Sequence, residues 1–246
     1  MLRSVLGLRG YTLECRDGSI GHVKDILFDD EFWRARYLVI DTSRFLSGDR
    51  VLIAPHACGE PDWETQSIPV AMDCEQVEGA PSIDEDAPVS RRVERSVLDY
   101  FDWVPYWATP FPPGIAPLPM HVVDKEIERG NEVHEEDQQH LRSAHEVKGY
   151  AIAARDDDIG HVADLICSTD DWTIRYLVVD TRNWLPGRKV LIAPAWIEKI
   201  SFANHHVRVD HTAEQVRDAP TFDPEAPVNR SYEQQLYDYY GRPVYW

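Results

Sequence analysis

The sequence is short of positive charge. Its 246 residues include 25 Lys and Arg against 43 Asp and Glu, which gives a formal net charge of −18 at pH 7. Nucleic acids and anionic membranes attract basic surfaces, so this balance argues against nonspecific binding to either. We therefore expect no nucleic-acid partner.

Cysteines and long apolar runs are also scarce. The four cysteines include no Cys-x-x-Cys pair, and none has a cysteine at the matching position of the repeat described below. A zinc site or disulfide framework belonging to that repeat is therefore not expected. No apolar run approaches the roughly 20 residues of a membrane-spanning helix, and the first ten residues do not resemble a signal peptide. These absences predict a cytoplasmic protein without membrane insertion.

The fingerprints of several enzyme classes are missing as well. The sequence contains no Gly-x-Ser-x-Gly nucleophile motif, no phosphate-binding P-loop and no dinucleotide-binding glycine motif. We expect no catalytic residue, no cofactor and no metal, and we favour a noncatalytic protein.

What the chain does contain is an internal repeat. Residues 10–55 return as residues 149–194, an offset of 139, with half of the positions identical. Such a long period predicts two modules that each bury a core. We place them at residues 1–107 and 140–246, joined by a Pro-rich and then acidic linker at 108–139.

Each module is predicted to be mainly β. Short apolar segments separated by turn residues predict four strands within the repeated stretch and a fifth at Glu64–Val70, matched by Ala203–Asp210. The four consecutive apolar residues Tyr37–Ile40 predict a strand that is covered on both faces. The expected fold class is a β-barrel with short helices.

Each module is also predicted to end in an amphipathic helix and an aromatic tail. Ser90 and Asn229 are suitable N-caps for the two helices. Apolar residues follow at helical spacing and predict one buried face on each helix. They are Val93, Val97, Tyr100 and Phe101 in the first module and Tyr232, Leu236, Tyr239 and Tyr240 in the second.

Several strings, in order and in both modules, resemble the PRC-barrel family. They are Ile-Gly-His-Val-x-Asp, Arg-Tyr-Leu-Val-[Ile/Val]-Asp-Thr, Val-Leu-Ile-Ala-Pro and Glu-Gln-Val-x-x-Ala-Pro. The resemblance implies two tandem PRC-barrel-like modules, similar to the cytoplasmic domain of the photosynthetic reaction centre H subunit. The family also includes the C-terminal domain of a ribosome-maturation factor. In both relatives the barrel is a docking unit, which implies binding rather than catalysis.

His22 and Asp25, with His161 and Asp164, are polar candidates that both modules share. A histidine beside a carboxylate can bind a metal or relay protons. Residues three apart on a regular strand point to opposite faces, so we expect the pair to separate and to make structural hydrogen bonds. A metal site shared between the modules is the alternative.

The aromatic tails provide the candidate interaction surface. Its members are Trp103, Tyr106, Trp107, Tyr245 and Trp246. Trp and Tyr supply much of the binding energy at protein interfaces. The alternative is that these rings complete the core or the contact between the modules.

The preferred hypothesis is a noncatalytic scaffold that binds another protein, with a membrane-facing electron-transfer complex as one setting. The first alternative is an enzyme or redox accessory with a metal or small-molecule site between the modules. It requires titratable residues from both modules around one cavity. The second alternative is a ribosome-associated assembly factor, and the sequence also leaves a homodimer open.

Overall fold

The computed structural model describes residues 1–42, 50–83, 89–107, 141–181 and 188–246. The predicted linker at 108–139 lies outside these residues. We call residues 1–107 the first half and residues 141–246 the second half. The described chain is mainly β with short helices, as the sequence predicts.

The strands of the described residues form two seven-stranded sheets. The first half supplies β1 (Leu2–Ser4), β2 (Thr12–Glu14), β3 (Ser19–Asp29), β4 (Arg34–Asp41), β5 (Arg50–Ile53), β6 (Ser67–Pro69) and β7 (Ser82–Ile83). The second half supplies β8 (Leu141–Ser143), β9 (Ala151–Ala153), β10 (Asp158–Ser168), β11 (Ile174–Asp180), β12 (Lys189–Ile192), β13 (Ile197–Ser201) and β14 (His206–Val209). The helices are α1 (Cys74–Glu78), α2 (Arg91–Phe101), α3 (Ala144–Val147), α4 (Ala213–Asp218) and α5 (Arg230–Tyr240).

The strand orders show that each half contributes one strand to the other half's sheet. The first sheet runs β6-β2-β3-β4-β5-β7, and β8 from the second half pairs antiparallel with β3. The second sheet runs β12-β11-β10-β9-β14-β13, and β1 from the first half pairs antiparallel with β10. Both donated strands read Leu-Arg-Ser. The two halves therefore complete each other's sheets.

A second contact joins the halves through backbone hydrogen bonds. The amide of Ala35 donates to the carbonyl of Trp172 at 2.9 Å, and the amide of Ile174 donates to the carbonyl of Trp33 at 2.6 Å. The two bonds are related by the same offset of 139 residues. Trp33 and Trp172 both have left-handed backbones, with φ of 53° and 56°. The contact thus has the form expected of a pseudo-twofold axis.

The hydrophobic core runs through both halves. One cluster of buried side chains includes Leu38 and Ile40 of the first half together with Leu177 and Val179 of the second. On the other face of β4, Tyr37 belongs to a smaller cluster under α2. Every residue of Tyr37–Ile40 is at least 96% buried, so the predicted double coverage of this strand is confirmed.

Two local predictions need correction. The strand expected at Glu64–Val70 is only three residues long, because Asp62 accepts backbone bonds from Glu64 and Thr65 and holds that segment as a turn. The buried faces of the two long helices also differ from the prediction. Tyr100 and Tyr239 were predicted to lie on those faces, but they are 45% and 41% exposed.

Candidate functional site

Asp25 and Asp164 hold the donated strands in place. Asp164 accepts hydrogen bonds from the Ser4 hydroxyl at 2.5 Å and from the Leu6 amide at 3.1 Å, both in the other half. Asp25 accepts the equivalent bonds from the Ser143 hydroxyl and, at 3.1 Å, from the His145 amide. Each carboxylate therefore fixes the end of the strand that arrives from the opposite half, and we call Asp25 and Asp164 the clasp carboxylates.

A β-bulge sets the direction of each of these carboxylate side chains. The register of β3 shifts between Val23 and Asp25, and that of β10 shifts between Val162 and Asp164. A bulge bends the strand and changes where the next side chain points. A regular alternation of faces, which the sequence analysis assumed, does not hold at these positions.

The two histidines are not part of this arrangement. His22 pairs with Asp41 in the sheet register, and its Nδ1 lies 3.4 Å from the Thr12 hydroxyl. His161 pairs with Asp180 in the same way. Within the described ranges, no hydrogen bond joins either histidine to the clasp carboxylate three residues later.

A buried glutamate lies beneath each aromatic tail. Glu94 is 1% exposed; it accepts a hydrogen bond from the Tyr106 hydroxyl at 3.0 Å and pairs with Arg91 at 3.2 Å. Glu233 is 3% exposed and accepts bonds from the hydroxyls of Tyr176 and Tyr245, each at 2.7 Å. Neither glutamate is among the residues predicted to be functional. They could have been found from the sequence because each lies three residues after an arginine, Arg91 or Arg230, at the same position of the repeat.

Arginines stack on the rings of both tails. The Arg36 guanidinium lies 4.0 Å from the ring centre of Tyr106, and that of Arg91 lies 4.0 Å from the ring centre of Trp107. In the second half, Arg175 lies 4.3 Å from Tyr245 and Arg230 lies 4.1 Å from Trp246. Such cation–π contacts hold each tail against its own half. Trp103 instead stacks on Phe101, with ring centres 4.3 Å apart.

Burial sets the protonation of these groups. It raises the pKa of Glu94 to about 6, against the opposing effect of Arg91. Burial and the neighbouring Glu94 also raise the pKa of Tyr106, so its hydroxyl stays protonated and donates to the carboxylate. In the second half, burial raises the pKa of Tyr245 to about 12.

A cleft of about 660 Å³ lies between the halves. The first half lines it with Arg34, Arg36, His56, Cys58, Val104 and Tyr106, among others, and the second half lines it with Thr169, Asp170, Asp171 and Trp172. Its charges are largely paired: Arg34 lies 3.8 Å from Asp171 across the cleft, and Arg36 lies 2.9 Å from Asp29. Val104 is 49% exposed at this site.

Among the described residues, no group of three or more His, Cys, Asp or Glu side chains is arranged to hold a metal ion. His211 is 3% exposed and packs against Trp196 and Tyr240. Burial lowers its pKa to about 4. No helix among the described residues has both the length and the apolar character to cross a membrane.

Comparison with known families adds one assignment. Residues 140–216 match the PRC-barrel domain. This PRC-barrel region begins next to β8, the strand donated to the first sheet, and ends within α4. It includes Asp164 but neither α5 nor the second tail. A search of curated proteins found no significant match to the chain.

Proposed function

We propose that the chain is a noncatalytic tandem of two PRC-barrel modules that acts as one scaffold for a protein partner. The match at residues 140–216 supports the second module. The resemblance of the first half rests on its shared strings and on β3, which has the same length as β10 at an offset of 139 residues. The proposed setting is the cytoplasmic side of a membrane-facing electron-transfer complex, and it rests on the resemblance to the reaction centre H subunit.

The cleft between the halves is the observation that carries this proposal. Its lining mixes apolar and aromatic side chains with charges that are already paired, which is the composition of a protein interface. Tyr106 links the cleft to the candidate interaction surface, and Val104 leaves an apolar side chain accessible beside it. The two clasp carboxylates and the buried glutamates Glu94 and Glu233 all make internal contacts, which favours a structural role for them.

Site-specific crosslinking tests the proposal. A photoreactive amino acid replaces Val104 in one protein and Tyr239, 41% exposed on α5, in the control. In native cells we expect a discrete protein adduct from position 104 that is absent from position 239. Trp107→Ala should weaken that adduct in protein whose circular dichroism is unchanged. Equal adduct patterns from both positions would contradict a partner site in the cleft.

The redox-accessory alternative also has a specific observation in its favour. His56 and Cys58 from one half line the same cavity as Asp171 from the other, so titratable groups of both halves share a cavity, although the three are not arranged around a single metal position. Burial lowers the pKa of His56, so the imidazole is neutral and available as a ligand near pH 7. Native mass spectrometry of protein purified from its own cells separates the two functions. A stoichiometric metal or small molecule lost on His56→Ala would favour the accessory. A ribosome-associated role rests on the family resemblance alone.

A further inference from the structure

Two hydrogen bonds bring the first turn of the first half against the start of α1. The Arg16 amide donates to the Met72 carbonyl at 3.0 Å, and the Cys74 amide donates to the Asp17 carboxylate at 2.8 Å. This backbone clamp fixes Cys15 and Cys74 on facing segments. The Cys74 sulfur lies against the Cys15–Gly18 turn, 3.7 Å from where a Cβ would stand on Gly18, and the Cys15 amide closes that turn on the Gly18 carbonyl at 2.7 Å. Each thiol also affects the pKa of the other, as neighbouring groups do.

The second half builds the same clamp without cysteines. The Arg155 amide donates to the His211 carbonyl at 2.9 Å, and the Ala213 amide donates to the Asp156 carboxylate at 2.7 Å. Ala154 and Ala213 occupy the positions that match Cys15 and Cys74, and each is 4% exposed. The clamp is therefore a property of both halves, while the facing thiols belong to the first half alone.

The other two cysteines do not share this arrangement. The Cys58 thiol points to the Ala54 carbonyl at 3.8 Å, and Cys167 is 0% exposed within the core. Cys15 and Cys74 are both partly exposed. An oxidant in solution can therefore reach the facing pair, whereas Cys167 is shielded.

We propose that Cys15 and Cys74 form a reversible disulfide that ties the first turn to α1 when the protein meets a disulfide oxidant such as oxidised glutathione. One cysteine thiolate attacks a sulfur of the oxidant, forming a mixed disulfide and releasing one glutathione thiolate. The second cysteine then attacks the protein sulfur of that mixed disulfide and releases the second glutathione. The two protein thiols lose two electrons and two protons, and one oxidised glutathione becomes two reduced glutathiones.

The surroundings make this a slow reaction near neutral pH. Burial and the neighbouring Cys74 thiol raise the pKa of Cys15 to about 12. Burial also raises the pKa of Cys74, and the carboxylates of Glu14, Asp17 and Glu78 disfavour a thiolate at the pair. Because the thiolate is the attacking species, the rate of closure rises with pH.

Oxidation of the full chain tests the proposal. The protein is incubated with oxidised glutathione near pH 8, close to the ordinary cysteine pKa of about 8.5, and free thiols are then alkylated. Trypsin with a Glu-specific protease separates all four cysteines, because cleavage after Glu64 divides Cys58 from Cys74. We expect one intramolecular disulfide joining the Cys15 and Cys74 peptides, reopened by dithiothreitol, with Cys58 and Cys167 fully alkylated.

The second half supplies a matched control. Cys15→Ala and Cys74→Ala reproduce its residues and should each abolish the disulfide. Placing cysteines at both matched positions, Ala154→Cys with Ala213→Cys, should create a second one if the clamp sets the geometry. The proposal is overturned if Cys15 and Cys74 are still free thiols after incubation with oxidised glutathione and are then alkylated. It is also overturned if either forms a disulfide with another cysteine or with a second chain.

Discussion

Replacing Asp164 with alanine should loosen the strand that the first half donates to the second. The Asp164 carboxylate accepts three hydrogen bonds: from the Ser4 hydroxyl at 2.5 Å, the Leu6 amide at 3.1 Å and the Leu165 amide at 2.7 Å. The first two come from the donated segment. In the alanine variant the Ser4 hydroxyl and the Leu6 amide lose their acceptor at a partly buried site.

The expected loss of stability is about 3 kcal/mol. A hydrogen bond to a charged acceptor contributes about 1.5–3 kcal/mol, so the two bonds from the donated segment set the scale. Burial opposes them, since it raises the pKa of Asp164 above its ordinary value. We therefore place the loss near the lower end of the combined range. At about 1.4 kcal/mol per tenfold change, local opening should become roughly 100-fold more frequent.

Hydrogen exchange and denaturation measure the two effects. The reporter amide is that of Val5, which donates to the Leu165 carbonyl at 2.8 Å directly after β1. A double-mutant cycle with Ser4→Ala should give a coupling of at least about 1 kcal/mol. Asp170→Ala is the matched control, because that 82% exposed carboxylate also contacts the N-terminal segment, through the Met1 ammonium. Exposed pairs contribute at most about 1 kcal/mol.

An unchanged exchange rate at Val5 in Asp164→Ala would refute a role for this carboxylate in holding the donated strand. Absence of coupling with Ser4 would refute it too, because the carboxylate would then stabilise its own strand rather than the donated one. Asp25→Ala should reproduce the result at β8, where Ser143 is the partner.

Two further perturbations test the tail and the sheet. Burial raises the pKa of Glu94 from 4.5 to about 6, so between these pH values the folded state keeps a proton that the unfolded state releases. The free energy of unfolding should therefore fall by about 2 kcal/mol as pH rises through this range. Urea denaturation near pH 4 and near pH 7 should show this contribution in the wild type but not in Glu94→Gln. Gly21→Ala should cost at least about 3 kcal/mol, because a Cβ there would lie 2.3 Å from the Asp41 carbonyl oxygen and φ is +60°. Gly10→Ala, with φ of +86° and no atom within 4 Å of the added carbon, should cost only about 1 kcal/mol in the same denaturation assay.

Local patterns predicted the long strands well because their side chains alternate or form short apolar runs. The long strand β3 lies within residues 10–55, where the sequence predicts four strands, and the doubly covered run at Tyr37–Ile40 lies within β4. The N-caps at Ser90 and Asn229 also have the predicted bonds, with the amides of Val93 and Tyr232 as donors. These features depend on neighbours in sequence, which a single sequence displays.

The helical faces were harder to predict because they bury charged residues. An apolar stripe on α2 favours Tyr100, yet Glu94 and Leu98 are buried instead. Glu94 is tolerated inside because Tyr106 and Arg91 supply its hydrogen bonds, and both partners lie outside any apolar pattern. A search for apolar residues at helical spacing therefore predicts the wrong buried face when that face contains an ion pair such as Arg91–Glu94.

The exchange of strands shows why a repeat predicts modules better than it predicts their connection. Leu-Arg-Ser recurs at residues 2–4 and 141–143, with the same offset of 139 residues as the rest of the repeat. The acceptor strands β3 and β10 and their clasp carboxylates recur with that offset too. A donated strand would thus meet nearly the same partners in its own half as in the other half. Because the donors are identical and the acceptors closely similar, the repeat predicts that a Leu-Arg-Ser strand pairs with an acceptor strand but does not predict which half supplies the acceptor. The structure answers that question: the Val5 amide donates to the Leu165 carbonyl in the other half, whereas the matching residue of its own half is Ile26.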